Sequence, residues 1–199
     1  MLIAEEFVLM ALDPDGTAAR SQSAAAVGVT GALVAELVHD GHLTLDDGRI
    51  HLTGTKPQHR LLIQALEGLK SHEGKKLKTT LGSIKHAGWS EVVDSMIAAG
   101  DLSRDKQAFR ATRHPILDPH AQYLLLSEVR GAAVSDGPLD RRMATLLALA
   151  GACRMLEVVA PNRGERKRAK QRIKEATDQV PVAAAVKYAI DAQAVVVVG

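Results

Sequence analysis

Between positions 163 and 174 the chain gathers its densest charge: Arg163, Arg166, Lys167, Lys170 and Lys174 recur at i, i+3, i+4, i+7 and i+11. On a helix that spacing lines one side. A stripe of this kind can meet anionic lipid headgroups at about 1 kcal/mol per basic residue near the surface. It can equally track nucleic-acid phosphates or remain a solvated face. A second basic segment, with Lys75, Lys76 and Lys78, precedes the only tryptophan, Trp89, which has Lys85 and His86 just before it. An indole there is either a core anchor or a ring that stacks on a ligand or faces lipid. Phe109 falls where a short hairpin turns, a place where an apolar side chain either packs back on the domain or enters a membrane.

Other chemistry-bearing residues have simpler explanations. His39, His42 and His51 cluster in sequence, but no cysteine or placed carboxylate completes a metal-ligand set around them. Asp46 and Asp47 occupy a turn, where aspartate is favoured for backbone reasons. Glu5 and Glu6 open a helix, where the macrodipole favours acids. There is no G-x-S-x-G, no Gly-Lys-Ser/Thr phosphate loop, no H-E-x-x-H and no paired-cysteine zinc spacing. No catalytic residue, metal ligand or cofactor is therefore assigned, and the expectation is a protein that is not an enzyme.

The single cysteine, Cys153, excludes an intrachain disulfide and fits a reducing compartment. It lies in the apolar run 143–156 and is expected to be a small buried hydrophobe. Glu5 and Glu6 stand where a secretion signal needs basic residues, and no apolar stretch reaches the roughly 20 residues that span a bilayer. These features predict a cytoplasmic protein whose contact with a membrane is peripheral, on its inner face. The formal net charge of +2 is too mild to imply nucleic acid or lipid by itself.

The elements that must position these residues are mostly helical. Hydrophobic residues make up 46% of the 199 but aromatic ones only 3%, so alanine, leucine and valine must build the core, and they favour closely approaching helices. Patterning predicts helices over 2–12, from Ser21 or Ser23 to about Asp40, 57–69, 75–85, 89–99, 119–133, 138–159, 163–179 and 181–198. Asp46, Asp47 and Gly48 between alternating segments 42–45 and 49–52 signal a hairpin. The stretch 36–43 is echoed by 95–102, each a helix, a glycine stop and a leucine. The echo predicts a second hairpin, 101–103 paired with 108–111. The expected architecture is mainly α: a helical bundle core with surrounding amphipathic helices and two short β-hairpins, in one domain over 1–199.

Several stretches, read in order, resemble one family. Residues 4–12 with the turn Asp13–Gly16, the Gly-rich helix 31–43, Asp105–Phe109 with Thr112–Pro115, and the Asp140-Arg141-Arg142 helix with its continuation 153–157 are similar to the Golgi phosphoprotein 3 family, nearly end to end. The chain's shortness and Ala-rich composition are those of a bacterial-type relative. The resemblance implies a helical fold, no enzymatic activity, binding of phosphatidylinositol 4-phosphate and a hairpin whose apolar tip aids membrane attachment. The Trp and Arg of the eukaryotic headgroup pocket fall at Ser21 and Thr30, and its basic pair at His86 and Trp89. None matches in type, and Arg20 and Lys85 lie one position away. The headgroup site implied is thus Arg20, Lys85 and His86 on the phosphate with Trp89 beside them. Membrane contact is assigned to Phe109 and the Arg163–Lys174 stripe.

Two other functions compete. Two helix–hairpin units suggest a winged-helix nucleic-acid binder, but 89–99 carries Glu91 and Asp94 and neither Lys nor Arg, against what phosphate contact requires. A protein–protein adaptor, homo-oligomeric through the second hairpin, is the third. Anionic membrane lipid is the expected partner, a protein partner the alternative, and nucleic acid the least favoured.

Overall fold

The computed structural model describes residues 1–17, 22–84, 88–106 and 112–196. The fold is mainly α. Its helices are α1 (Ile3–Ala11), α2 (Gln22–His39), α3 (Arg60–Lys70), α4 (Leu77–Thr80), α5 (Trp89–Ala99), α6 (Pro119–Val134), α7 (Arg141–Ala152), α8 (Leu156–Val159), α9 (Arg166–Gln179) and α10 (Pro181–Val196). One antiparallel hairpin, β1 (Leu43–Asp46) with β2 (Arg49–Leu52), completes the named elements.

The centre is α2 and α7, with α1 laid against both. All three are apolar almost all round, as a helix enclosed by others must be: Phe7, Val8, Val29, Leu33, Val34, Leu37, Leu146 and Leu149 have no exposed surface. Two glycines let α2 approach its neighbours. A methyl group on Gly28 would sit 2.4 Å from the Phe7 ring and 2.7 Å from Cys153 Sγ, and one on Gly31 would sit 2.3 Å from Val186 on α10. Around this centre α3, α5, α6, α9 and α10 each bury one face.

The Asp47-Gly48 turn has both residues at positive φ, 47° and 68°, the geometry that suits a two-residue hairpin. Leu43 and Ile50 turn inward and are fully buried. β2 then captures the segment after α3: Ile50 N–H donates to Lys75 O (3.0 Å) and Leu77 N–H to Gly48 O (2.8 Å). This holds Lys76 extended, so the helix expected over 75–85 is reduced to α4 and a 3₁₀ turn, Leu81–Ser83. Pro57 likewise lies outside α3, which is opened instead by His59, whose Nδ1 accepts from Leu61 N–H at 3.3 Å. The helix expected over 138–159 breaks after Ala152, where Arg154 takes φ 59°.

The second hairpin has a different register from the one expected. Leu102 pairs with Ile116 and Asp105 with Arg113, so its arms are 101–105 and 113–117. The expected partner strand, 108–111, lies outside the described residues. Gln122, on α6 and 4% exposed, donates through one amide nitrogen to Leu9 O (2.9 Å) and Leu12 O (2.8 Å). It satisfies carbonyls left free at the end of α1.

One half-buried acid has a measurable consequence. Glu36 on α2 accepts from Ile3 N–H at 2.7 Å, tying down the start of α1. Burial first, then the nearby Asp40, Glu6 and Glu5, push its pKa up from 4.5 to about 7, against the opposing bond from Ile3. The folded state therefore holds a proton that the unfolded chain releases between these values. Glu36's contribution is complete below pH 4.5 and is lost as pH rises through 7. Glu36→Gln keeps an acceptor for Ile3 and carries no charge. It is expected to stabilise the protein at pH 8 by on the order of 1 kcal/mol after discounting for solvent screening, and to leave it near wild type at pH 4.5. Urea unfolding of both proteins at the two pH values checks the sign.

Candidate anion-binding surfaces

Helix α9 is seated by small residues. Ala169 and Ala176 are fully buried, and Gly151 of α7 lies so close that a methyl group there would meet Ile173 at 2.3 Å. The helix is thereby held against the bundle with its opposite face in solvent. On that face stand Lys167, Lys170 and Lys174, all exposed.

The five-residue stripe expected from spacing is not one surface. Arg163 is exposed but belongs to a 3₁₀ turn before the helix. Arg166 folds back, with Nε donating to Ala160 O (3.2 Å) and Nη1 lying 3.4 Å from Glu157. Its charge is committed at the α8–α9 junction. The basic residues between the lysines are also committed: Arg172 pairs with Glu175 at 2.9 Å and donates to Gly137 O, and Arg168 lies 3.8 Å from Asp136. Hydrogen bonds from Arg172 and Gln171 hold the Glu175 carboxyl below its usual range. What remains is a row of three lysines with no ion pair among the described residues.

The headgroup constellation is a different matter. Arg20, Lys85 and His86, and the hairpin-tip Phe109, lie outside the described residues. Trp89 is placed, and it corrects the expectation of a stacking ring. It is 8% exposed, packed into the core as the first residue of α5, and its indole N–H has no acceptor among the described residues. Gly88 caps that helix, its N–H donating to Glu91 at 3.2 Å. Thr30 is buried too, its hydroxyl donating to Ala26 O at 3.2 Å, and so offers nothing to a headgroup.

The remaining reactive types are accounted for locally. Cys153 Sγ–H donates to Ala24 O at 3.4 Å, and burial pushes the thiol up to about 12, which leaves no thiolate at neutral pH. The three clustered histidines separate: His39 contacts Thr145 (3.3 Å), His42 contacts Thr55 (2.7 Å) and His51 contacts Glu73 (3.3 Å). No three His, Cys, Asp or Glu converge on a metal position among the described residues.

The sequence motifs meet in pairs. Arg142 grips Glu6 through two nitrogens at 2.6–2.9 Å and reaches Glu128 at 3.3 Å, while Asp140 caps α7 through Met143 N–H at 2.8 Å. The opening acidic helix and the Asp-Arg-Arg helix are thus two halves of one contact. The turn Asp13–Gly16 and the segment Thr112–Pro115 are another pair: Arg113 lies 3.5 Å from Asp15, and His114 N–H donates to Gly16 O at 3.0 Å. The sequence model of one protein family, described as Golgi phosphoprotein 3, matches residues 3–193.

The chain belongs to the Golgi phosphoprotein 3 family. No curated protein matches it significantly. Among the described residues the Golgi phosphoprotein 3 fold contains no helix long and apolar enough to cross a membrane. Sequence spacing located the lysine row on α9 but not the neighbours that withdraw Arg166 from it, nor the 3₁₀ turn that takes Arg163 out of the helix. It did not flag Tyr188, 49% exposed on α10 with Lys78 Nζ 5.5 Å from its ring centre.

Proposed function

We propose that this member of the Golgi phosphoprotein 3 family is a non-enzymatic peripheral module that docks on anionic membranes and takes a phosphoinositide headgroup of the phosphatidylinositol 4-phosphate kind. The observation that carries the reading is the row Lys167, Lys170 and Lys174. Three exposed ammonium groups stand on one face of a helix whose other face is locked to the core. Such a row presents a fixed positive surface to a plane of phosphates and keeps it there without ordering a loop on contact. Family membership supports the headgroup class.

Each lysine is worth about 1 kcal/mol at an anionic surface. Replacing all three with alanine is therefore expected to lower binding to anionic vesicles about a hundredfold at low salt. Single substitutions should lower it a few-fold each. The measurement is co-sedimentation with vesicles of graded anionic content, at low and physiological salt, with and without phosphatidylinositol 4-phosphate at constant total charge. Binding that rises with phosphatidylinositol 4-phosphate supports a dedicated headgroup site. Binding set by total charge alone supports the lysine row and removes the headgroup specificity. Equal binding by wild type and the triple variant removes α9 from the reading.

A further inference from the structure

A cleft of about 300 Å³ opens between the first hairpin, α4 and α10. None of Thr30, Trp89, Lys167, Lys170 and Lys174 lines it, so it is separate from the surfaces above. It exists because α10 turns its smallest side chains toward it. Pro181, Ala184 and Ala185 fall at i, i+3 and i+4 on one face, and the space a larger residue would fill is left open. One turn further along that face stands Tyr188, with Lys78 drawn over its ring.

The opposite wall is Lys76, Leu77 and Lys78. Its backbone is fixed by the bonds from Ile50 to Lys75 and from Leu77 to Gly48, so the segment that carries the two lysines is in place before any ligand arrives. Lys76 Nζ lies 3.5 Å from Asp47, a pair in which the aspartate side chain is 81% exposed. Such a pair holds its partner weakly. Two ammonium groups against one solvated carboxylate leave the rim with surplus positive charge, while Leu45, Leu77, Ala184 and Ala185 keep the walls apolar.

We infer that this cleft binds a small amphiphilic anion: one phosphate or carboxylate group held by Lys76 and Lys78, with a single short apolar chain against α10. The volume selects the occupant. Small-molecule sites span about 300–1,000 Å³, and the lower end of that range seats one short chain but not both chains of a bilayer lipid. The ligand is therefore a soluble amphiphile, and the inference does not rest on membrane docking.

The probe is octyl phosphate below its micelle threshold, titrated by calorimetry against inorganic phosphate and octanol. Octyl phosphate is expected to bind one saturable site at least tenfold more tightly than either half-ligand. Ala184→Leu fills the cleft from an exposed helical position that the fold tolerates, as an unchanged thermal midpoint would confirm. It should weaken octyl phosphate at least tenfold, and so should Lys76→Ala with Lys78→Ala. Co-sedimentation of Ala184→Leu with anionic vesicles should match wild type. The inference is overturned by no binding of octyl phosphate, by variants that bind as wild type does, or by inorganic phosphate binding as tightly. A tenfold loss of vesicle binding in Ala184→Leu also overturns it, because the ligand would then be a bilayer lipid. Wild type that binds octyl phosphate and no vesicle leaves the cleft standing and removes the membrane docking instead.

Discussion

Gly16→Ala is expected to cost at least 3 kcal/mol, from two causes that add. Gly16 has φ 79°, a left-handed backbone that costs any residue with a Cβ roughly 1–2 kcal/mol. The added methyl would also stand 2.2 Å from the carbonyl carbon of His114 and 2.3 Å from Pro115 N. Those are backbone atoms, so no rotamer change relieves the overlap. The second hairpin must move away, and the bond from His114 N–H to Gly16 O is lost with it. For a chain of this size each kcal/mol lowers the thermal midpoint by about 2–4 °C, so a fall of about 6–12 °C or more is expected. Gly100→Ala is the control: it has a similar φ, 85°, but open space where the methyl would go. Its loss should be confined to the backbone cost, and if the two variants melt together, close approach is not what anchors this turn.

Arg142→Ala is expected to cost about 3–5 kcal/mol, the usual penalty for leaving a buried charge without its partner. The Glu6 side chain is 8% exposed, and Arg142 is its ion-pair partner. Removing the guanidinium strands the carboxylate against the apolar face of α1. The pair itself contributes less than this figure suggests, because the Glu6 carboxylate was desolvated to form it. The double variant Glu6→Met with Arg142→Met should accordingly recover most of the stability lost by Arg142→Ala. Urea unfolding of wild type and these two variants measures it. A double variant as unstable as Arg142→Ala would mean that the loss is one of packing by the long arginine side chain rather than of charge.

These two contacts explain why the family was legible in a chain with no strong catalytic or ligand motif. Glu6 and Arg142 are 136 positions apart, and Gly16 and His114 are 98 apart. Periodicity reports only neighbours within a few turns, so each motif looked weak until the fold brought its partner to it. What is local was legible. Helix α5 has the limits expected, because Gly88 and Gly100 bracket it, and the Asp47-Gly48 hairpin formed where its turn required. What depends on distant backbone was not. Lys76 sits in a helical pattern, yet its bridge to Arg49 of β2 holds it extended. The same limit applies to the lysine row on α9. Spacing placed five cations on one side, whereas Glu157 and Ala160, set by the α8–α9 junction, withdraw Arg166. Trp89 beside two basic residues suggested a ligand platform, and only the packing of α5 shows the ring to be enclosed. That part of the signature records how the bundle is held together rather than what it binds.

The enclosure of Trp89 also gives the protein an optical label that needs no chemistry to install. It is the only tryptophan in the chain, so the whole indole emission comes from one point at the start of α5. With the ring 8% exposed, that emission is expected to be short in wavelength and shielded from aqueous quenchers in the native state. A ligand or lipid plane arriving at the end of α5 is expected to alter it, and one captured by the lysines of α9 to leave it nearly unchanged. A single fluorescence titration of the unmodified protein therefore distinguishes which face has been engaged.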